Sequence, residues 1–419
     1  MTSLATGSLV FHLCLLLLAV HGVGFLFEKW RQPKLLGEIL VGVLFGPHVL
    51  APVLPALASE GATVLSFISQ AGLILLMFLA GTESKHIGFQ RNKKLMLSLV
   101  TLGTGLPFLL LIALASADLV PLTSIMGSAQ SPDATLTLLA IAVTVTSIPV
   151  LSRIFQDLRL TQTQFAALII GTAVLEDILL WGVLSFAQVV ALKASSPLSI
   201  ALHMATNLLF MAAGLLLLPA GVTRLASARG NFVARNSPIA WPIVVLLSYI
   251  SLAHLLQVNV VFAAFLAGFA LTGGASSESS GTSLTSVAAL RSVAQAFFIP
   301  LFFAMIGYKL KLDASFSARE LCVFLLGSSA LSSACTWFAA RVGGLRAYEA
   351  LNVAITSNAR GGPGIVLAGI AFESGLVTAS FYTTLVLTAL LTSLSAAWWL
   401  RFQVKRRRPL LSGDSLPAL

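Results

Sequence analysis

Two adjacent acidic residues, Glu176 and Asp177, lie in the middle of a strongly apolar stretch that runs from about Phe165 to Leu192. A charge at the centre of a bilayer costs about 2.5–3.5 kcal/mol even on the lenient insertion scale, so such residues are rare and mark functional sites. The chemistry open to a buried carboxylate is the reversible binding of a proton or of a cation. The pair therefore predicts a functional site inside a membrane.

The composition indicates a membrane protein. Of the 419 residues, 57% are hydrophobic and 10% are charged, and the mean hydropathy is +0.96. Soluble domains carry about 25% charged residues. The formal net charge of +10 comes from basic residues spread over short loops and one tail, so membrane topology explains it better than nucleic-acid binding.

Thirteen apolar runs are long enough to cross a membrane as helices. An all-α polytopic fold is predicted, because open sheet edges are not tolerated in hydrocarbon. The predicted spans are approximately 8–27, 35–57, 63–83, 95–117, 134–155, 163–192, 198–223, 237–256, 259–275, 285–309, 319–340, 346–372 and 378–402.

The loops between these spans alternate in their content of Lys and Arg. One set of loops, together with the C-terminal tail, carries twenty basic residues, whereas the opposite set carries Lys193, Lys311 and Arg319. Cytoplasmic loops are the ones enriched in Lys and Arg. We therefore expect an integral protein of the plasma (inner) membrane, with the N-terminus outside and the C-terminus in the cytoplasm.

The sequence contains an internal repeat. Each residue of the first copy corresponds to a residue of the second at a fixed distance along the chain, which is the separation between Gly81 and Gly307 and which we call the repeat offset. Residues 75–81 (LLMFLAG) in span three are similar to residues 301–307 (LFFAMIG) in span ten, and Gly42 falls on Gly268 at the same offset. The paired spans are seven helices apart, so they cross in opposite directions, which is typical of inverted-topology repeats in secondary transporters. The predicted domains are a first transmembrane repeat (1–192), a linker helix and loop (193–236), a second inverted repeat (237–402) and a basic cytoplasmic tail (403–419).

Spans five and twelve contain residues that interrupt a helix. Span five carries Thr146, Ser147 and Pro149, and span twelve carries residues 356–364 (TSNARGGPG). Proline removes a backbone donor and clashes with the preceding turn. Two half-helices meeting at mid-membrane would direct dipole ends and free backbone groups at a small ion or a charged side chain. Thr146, Ser147 and Asn358 are candidate oxygen ligands for a hard cation, although hydroxyls in spans often satisfy their own backbone instead.

Six motifs in chain order resemble those of monovalent cation:proton antiporters, the Kef-type and sodium/hydrogen exchanger superfamily. Each motif alone is weak, but six in order along nearly the whole chain are specific. The motifs are residues 32–47 (QPKLLGEILVGVLFGP), 78–83 (FLAGTE), Thr146 and Ser147 with Arg153, 171–177 (GTAVLED), 300–307 (PLFFAMIG) and 359–361 (ARG).

The resemblance implies the sodium/proton antiporter fold, with two discontinuous crossing helices in a core bundle and a second bundle that forms a homodimer. It implies the exchange of Na⁺ or K⁺ for protons by alternating access, with Asp177 as the residue that binds the metal ion. Glu176 is its neighbour in the site, and we expect Arg360, or else Lys309, to be the charge partner of Glu176. The expected partners are the cation, the proton and the lipid bilayer, with no resident cofactor and no nucleic acid.

Three departures from the family pattern leave other functions open. Glu176 stands where the family has Asp or Asn, the apolar span from Leu321 to Ala340 has no basic residue, and Gly362 replaces a common glutamate. The alternatives are a transporter of organic anions or other solutes on the same fold, or a sensor or assembly subunit that does not transport. An enzyme is not expected, because the sequence has neither a His-Glu-x-x-His nor a Gly-x-Ser-x-Gly motif.

Overall fold

The computed structural model describes residues 3–30, 32–46, 62–83, 93–191, 197–228, 230–272, 280–310, 312, 316–412 and 414. Throughout these ranges the regular elements are helices, and the one β-type contact is an isolated antiparallel bridge between Met126 and Val377. The predicted all-α fold is confirmed. Nine helices or helical runs in these ranges are long and apolar enough to cross a membrane. Each of the thirteen predicted spans overlaps a described helix, while the number of crossings stays a prediction.

Twenty α-helices are found in the described part of the chain, and three π-helical turns connect some of them. The π-helical turns are Leu99–Gly105 between α4 and α5, Ala213–Leu217 between α10 and α11, and Ala294–Phe298 between α15 and α16. The α-helices are α1 (Ser3–Lys29), α2 (Lys34–Phe45), α3 (Ala62–Glu83), α4 (Lys93–Ser98), α5 (Leu106–Ser116), α6 (Leu122–Ile125), α7 (Pro132–Thr144), α8 (Ile148–Asp157), α9 (Gln164–Ala191), α10 (Pro197–Ala212), α11 (Leu218–Ser227), α12 (Phe232–Asn236), α13 (Ala240–Leu255), α14 (Val260–Thr272), α15 (Ser280–Val293), α16 (Ile299–Lys309), α17 (Ala318–Val342), α18 (Ala347–Ser357), α19 (Gly361–Glu373) and α20 (Ala379–Lys405).

The chain divides into two compact units, and each takes segments from both halves of the sequence. Unit 1 comprises Met1–Lys85 and Leu202–Leu310, and unit 2 comprises His86–Ala201 and Lys311–Leu419. The predicted boundary at 192/193 lies outside the described residues. The domain limits given above therefore stay a prediction.

In unit 1, α2 packs against α16 and α3 packs against α14, and glycines lie where the backbones meet. A Cβ atom on Gly42 would lie 1.8 Å from the carbonyl oxygen of Ala304, and one on Gly268 would lie 1.9 Å from that of Phe78. The repeat offset converts Gly42 into Gly268 and Phe78 into Ala304. The same contact is therefore made twice, once with the glycine in the first repeat and once with the glycine in the second.

A second pair of glycines shows the same exchange. A Cβ atom on Gly81 would lie 2.0 Å from the carbonyl oxygen of Phe265, and one on Gly307 would lie 2.0 Å from that of Ile39. The repeat offset converts Gly81 into Gly307 and Ile39 into Phe265. When residue i contacts j and the counterpart of j contacts the counterpart of i, a two-fold axis relates the two halves. Unit 1 is thus built around a pseudo-two-fold axis, in agreement with the repeat read from the sequence.

The axis passes beside Gly72 of α3. A Cβ atom on Gly72 would lie 2.3 Å from the carbonyl oxygen of Phe298, and the repeat offset makes Phe298 the counterpart of Gly72. A residue that contacts its own counterpart must lie on the axis. Only glycine, which has no Cβ atom, allows two helix backbones to approach this closely.

Replacing Gly268 with Ala should destabilise the protein, because the new methyl group would lie 1.9 Å from the carbonyl oxygen of Phe78. Overpacking of this kind costs about 1–3 kcal/mol. We expect the melting temperature of the detergent-solubilised protein to fall by about 5 °C. The matched control is Gly221→Ala in α11, where a Cβ atom would meet no described atom within 4 Å, so its melting temperature should not fall below that of the wild type. A Gly268→Ala protein that melts with the wild type would contradict the close packing.

In unit 2, two helical runs are interrupted at the predicted places. One interruption, residues 145–147, separates α7 from α8, and the other, residues 358–360, separates α18 from α19. We call these two segments together the crossing. The helix with the acidic pair, α9, packs against α7, α8 and α18. The two interruptions divide their spans into four half-helices, and three of these four therefore contact the helix that carries the two carboxylates.

Candidate functional site

The two interruptions are joined to each other by hydrogen bonds. The backbone N–H of Ser147 donates to the carbonyl oxygen of Ala359 at 2.7 Å, and the hydroxyl of Thr146 donates to the carbonyl oxygen of Ser357 at 2.8 Å. A continuous helix would satisfy such backbone groups within itself. At the crossing, each interrupted helix satisfies groups of the other, which permits non-helical backbone inside a membrane.

Ser147 caps two half-helices with one hydroxyl group. Its Oγ accepts the backbone N–H of Val150 at 3.4 Å in α8 and that of Gly362 at 3.2 Å in α19. Gly361 is closely packed against this hydroxyl, since a Cβ atom there would lie 2.5 Å from Oγ, and its φ of +34° also favours glycine. The hydroxyl of Ser147 can serve both helix starts because Gly361 has no side chain that would collide with it.

The backbone donors in the first turn of α19 are all paired within the described part of the chain. Gly361 donates to Ser393 Oγ at 3.0 Å, Gly362 to Ser147 Oγ at 3.2 Å, and Gly364 to the carbonyl of Arg360 at 3.0 Å, while Pro363 has no N–H. The sequence predicted free backbone groups directed at an ion. At this helix start the donors are used within the protein instead, because a buried N–H is costly to leave unpaired.

The two carboxylates are buried beside the crossing. Asp177 is 1% exposed and Glu176 is 5% exposed, and neither Glu176 Oε2 nor Asp177 Oδ1 has a hydrogen-bond partner among the described residues. Ile148, the first residue of α8 after the interruption, packs in one cluster with Ala173 and Val174 of α9. These residues lie within about one helical turn of the acidic pair, so the carboxylates are level with the crossing.

Thr104 is a site residue that the sequence did not indicate. Its hydroxyl donates to Oε1 of Glu176 at 2.7 Å, and its side chain is buried. Thr104 lies in the π-helical turn Leu99–Gly105, and such turns are frequent at functional sites. The available signal was the run 103–107 (GTGLP), in which two glycines and a proline weaken a regular helix.

Arg360 lies at the crossing, but its described bonds go to residues other than Glu176. Arg360 is 2% exposed, and its guanidinium donates to Ser328 Oγ at 2.9 Å and to Asn358 Oδ1 at 3.3 Å. Its carbon Cζ lies 6.0 Å from the centre of the Phe324 ring, and its Nε has no hydrogen-bond partner in the ranges that the structure describes. The expected Arg360–Glu176 ion pair is therefore not formed between these two described residues, because the side chain of Arg360 extends toward α17.

The second expected partner, Lys309, is the last residue of α16 in unit 1, and its role stays a prediction. The span that lacks basic residues supplies Ser328 as an acceptor for Arg360. Arg360 thus brings to α17 the positive charge that this part of the helix does not carry itself. Asn358, predicted as an oxygen ligand, uses its Oδ1 for Arg360.

The donor atoms favour a small hard cation over a tightly held transition metal. No three His, Cys, Asp or Glu side chains gather into a metal-binding group in the described residues. The oxygens at hand are two carboxylates, hydroxyls and backbone carbonyls, which are hard ligands. Reversible binding of a small hard cation or of a proton is the chemistry that this arrangement supports.

Proteins of known kind are similar to this chain over nearly its whole length. The family model described as "Sodium/hydrogen exchanger, transmembrane" matches residues 15–405. The Na(+)/H(+)-K(+) antiporter GerN of Bacillus cereus is 26% identical over 92% of this chain and 93% of its own length. The Na(+)/H(+) antiporter of Enterococcus hirae is 27% identical over 94% of this chain and 97% of its own length.

A solved structure shares the fold. The sodium proton antiporter MjNhaP1 from Methanocaldococcus jannaschii, at pH 8, superimposes with a TM-score of 0.71. The match covers 95% of this chain and 98% of that one, at 17% sequence identity. The predicted antiporter fold is therefore confirmed.

Replacing Ser147 with Ala should weaken the crossing, because the N–H groups of Val150 and Gly362 both lose their acceptor. Loss of one N-cap costs about 0.5–2 kcal/mol. We expect a fall of several degrees in melting temperature in detergent. Ser131→Ala is the matched control, since Ser131 stands at the N-cap of α7 but its side chain makes no capping bond to that described helix. Equal melting temperatures for the two variants would exclude the double-cap role.

Proposed function

Because the chain belongs to the sodium/hydrogen exchanger family, we propose that Asp177 is the carboxylate at which it exchanges a monovalent cation for protons. The single observation that carries this assignment is that its side chain is buried with an unpaired carboxylate oxygen. Asp177 is 1% exposed and its Oδ1 has no hydrogen-bond partner in the described structure, although it lies level with the crossing. A carboxylate buried with one oxygen unpaired must be neutralised by something that the site admits.

Exchange follows from competition for this one charge. A proton and a metal cation both neutralise the carboxylate, and the bound cation excludes the proton from the same oxygens. The charged, empty carboxylate is the costly state in a low-dielectric surrounding. If only the neutralised site changes its exposure from one side of the membrane to the other, each cation that crosses in one direction is matched by protons in the other, which is alternating access with coupled exchange.

Glu176 is the second carboxylate of the proposed site. Its Oε1 is fixed by the hydroxyl of Thr104, while no described residue forms a hydrogen bond to its Oε2. The preference for a hard cation is strengthened when two carboxylates share a site. We therefore assign Thr104 to holding Glu176 in position and Oε2 to the bound cation.

The two hydroxyls of the first interruption differ in what they can offer a cation. Ser147 Oγ already accepts two N–H groups, so both its lone pairs are used. Thr146 donates its hydroxyl proton to the carbonyl of Ser357, which leaves its oxygen able to act as an acceptor. We assign Thr146 to the cation and Ser147 to holding the crossing together.

The charges of the site disfavour transport of an organic anion. Two carboxylates would repel it, and the nearby guanidinium of Arg360 is already bonded to Ser328 and Asn358. Arg360 is better suited to stabilising the ends of the two interrupted helices. The relatives named above are described for Na⁺ or for K⁺ exchange, so we propose that one of these two ions is the substrate.

We also propose the finer placement of the protein in its membrane. The excess of Lys and Arg in alternate loops supports an outside N-terminus and a cytoplasmic C-terminus in a plasma (inner) membrane. A homodimer is what the family resemblance suggests.

Asp177→Asn should abolish exchange, because the amide cannot alternate between a proton and a cation. The measurement is dissipation of a pH gradient in proteoliposomes, with Na⁺, K⁺ and Li⁺ offered separately, and the expected rate is that of empty liposomes. Asp133→Asn, the same change at the exposed first turn of α7, should retain the wild-type rate. Undiminished exchange by a folded Asp177→Asn protein would reject the assignment, and a wild type that exchanges none of the three ions would favour the non-transporting alternative.

Thr104→Val should raise the half-saturating cation concentration about tenfold, because Glu176 loses its hydroxyl donor, and such bonds to charged groups contribute about 1.5–3 kcal/mol. Thr104→Ser restores the hydroxyl and should lie close to the wild type. The control is Thr101→Val in the same π-helical turn, where the hydroxyl donates to the carbonyl of Leu97 at 2.7 Å instead. If Thr104→Val binds the cation as the wild type does, Glu176 is not a ligand held by Thr104.

A further inference from the structure

Four residues near the C-terminus lie against the first turns of α9 and α18. We call these residues, Leu410, Leu411, Ser412 and Asp414, the C-terminal clasp. The side chains of Leu410 and Leu411 are buried. They belong to one apolar cluster with Phe165 of α9 and Val353 of α18. Two buried leucines hold this short segment against two helices that build the site.

The clasp is joined to α18 by three polar contacts. Oε1 of Glu349 accepts the backbone N–H of Ser412 at 2.6 Å and also the hydroxyl of Ser412. The side-chain amide of Asn352 donates to the carbonyl oxygen of Leu410 at 3.0 Å. The other oxygen of Glu349 accepts the N–H of Arg346 at 2.8 Å, so one carboxylate caps its own helix and binds the clasp.

Asp414 joins the clasp to the start of α9. Its Oδ1 accepts the N–H of Gln164 at 2.8 Å and its Oδ2 accepts the N–H of Phe165 at 3.2 Å. The local cap, Thr163, accepts the N–H of Ala166 at 3.1 Å. A carboxylate at a helix N-terminus pairs with free donors and with the positive end of the dipole. The helix with the acidic pair is therefore capped by a residue 250 positions away in the chain.

Both helices that the clasp joins lead directly to the proposed exchange site. Asp177 lies thirteen residues after Gln164, about 20 Å along α9, and α18 ends at the crossing. An α-helix transmits an axial shift at one end to its whole length. The position of the carboxylates against the crossing thus depends on how the start of α9 is held against the start of α18.

We propose that Asp414 is a positioning residue for exchange, acting through the C-terminal clasp to hold α9 at the height where Asp177 and Glu176 meet the crossing. The role rests on the proposed function of Asp177. A segment that only covered apolar surface would need its leucines alone. Here the polar anchors bind the ends of the two helices whose relative position the site requires.

The test compares three variants of the full-length protein, Asp414→Ala, Asp414→Asn and Asp157→Ala. Asparagine keeps an acceptor for the N-terminal donors of α9, whereas alanine has none. Asp157, an exposed residue at the end of α8, is the matched control. Hydrogen–deuterium exchange reports the N–H groups of residues 164–168, and proteoliposomes loaded with Na⁺ or K⁺ report the half-saturating cation concentration.

For Asp414→Ala we expect amide exchange at residues 164–168 to be about tenfold faster than in the wild type. We also expect the half-saturating cation concentration to rise at least about threefold. Asp414→Asn should recover most of both effects, and Asp157→Ala should show neither.

Two results would overturn the proposal. Unchanged amide exchange in Asp414→Ala would mean that the cap on α9 is not made in solution. If Asp414→Ala shows faster amide exchange but the wild-type half-saturating cation concentration, the clasp stabilises the helix start without positioning the exchange site. Failure of the proposed function looks different, because Asp177→Asn would then exchange ions as the wild type does, whatever the Asp414 variants do.

Discussion

A backbone N–H or a carboxylate buried in a membrane protein has no water to bond to, so it must find its partner in the protein or in a ligand. At the start of α19 this demand is met by the hydroxyl oxygens of Ser147, which belongs to the other interrupted segment, and of Ser393 in α20. Beside it, Glu176 and Asp177 each keep a carboxylate oxygen without a partner among the described residues. These unpaired carboxylate oxygens thus lie beside the crossing, where exchange is proposed.

The two units use different means to bring backbones together. In unit 1, glycines related by a pseudo-two-fold axis remove side chains from the contacts, as Gly42 does against Ala304. In unit 2, backbone segments leave the helical form and bond to each other, as Ser147 does to Ala359. The first means gives close packing of intact helices, and the second gives irregular backbone beside buried charge. Both buried carboxylates of the proposed site, Glu176 and Asp177, belong to unit 2.

Much of the fold and part of the site could be predicted before the structure. Apolar runs indicated the helices, Pro149 and the glycine-rich segment 356–364 indicated the interruptions, and the repeat offset indicated the symmetry of unit 1. Thr104 escaped because its only signal is a weak helix, and its partner lies 72 residues away. The Arg360–Glu176 pair was expected because Arg360 lies at the interruption of span twelve, and Arg360 bonds to Ser328 and Asn358 instead. Opposite charges in a sequence do not reveal the direction in which a long side chain extends.

Local patterns of residues were enough to establish a bundle of membrane helices with an acidic pair inside and two interrupted spans, since hydropathy, proline and glycine act on the nearby chain. They were not enough to show which oxygens the interruptions use, which hydroxyl holds Glu176, or that Asp414 caps α9. Each of these bonds joins residues far apart in the chain. Their formation depends on how the helices pack, and no short stretch of sequence records that packing.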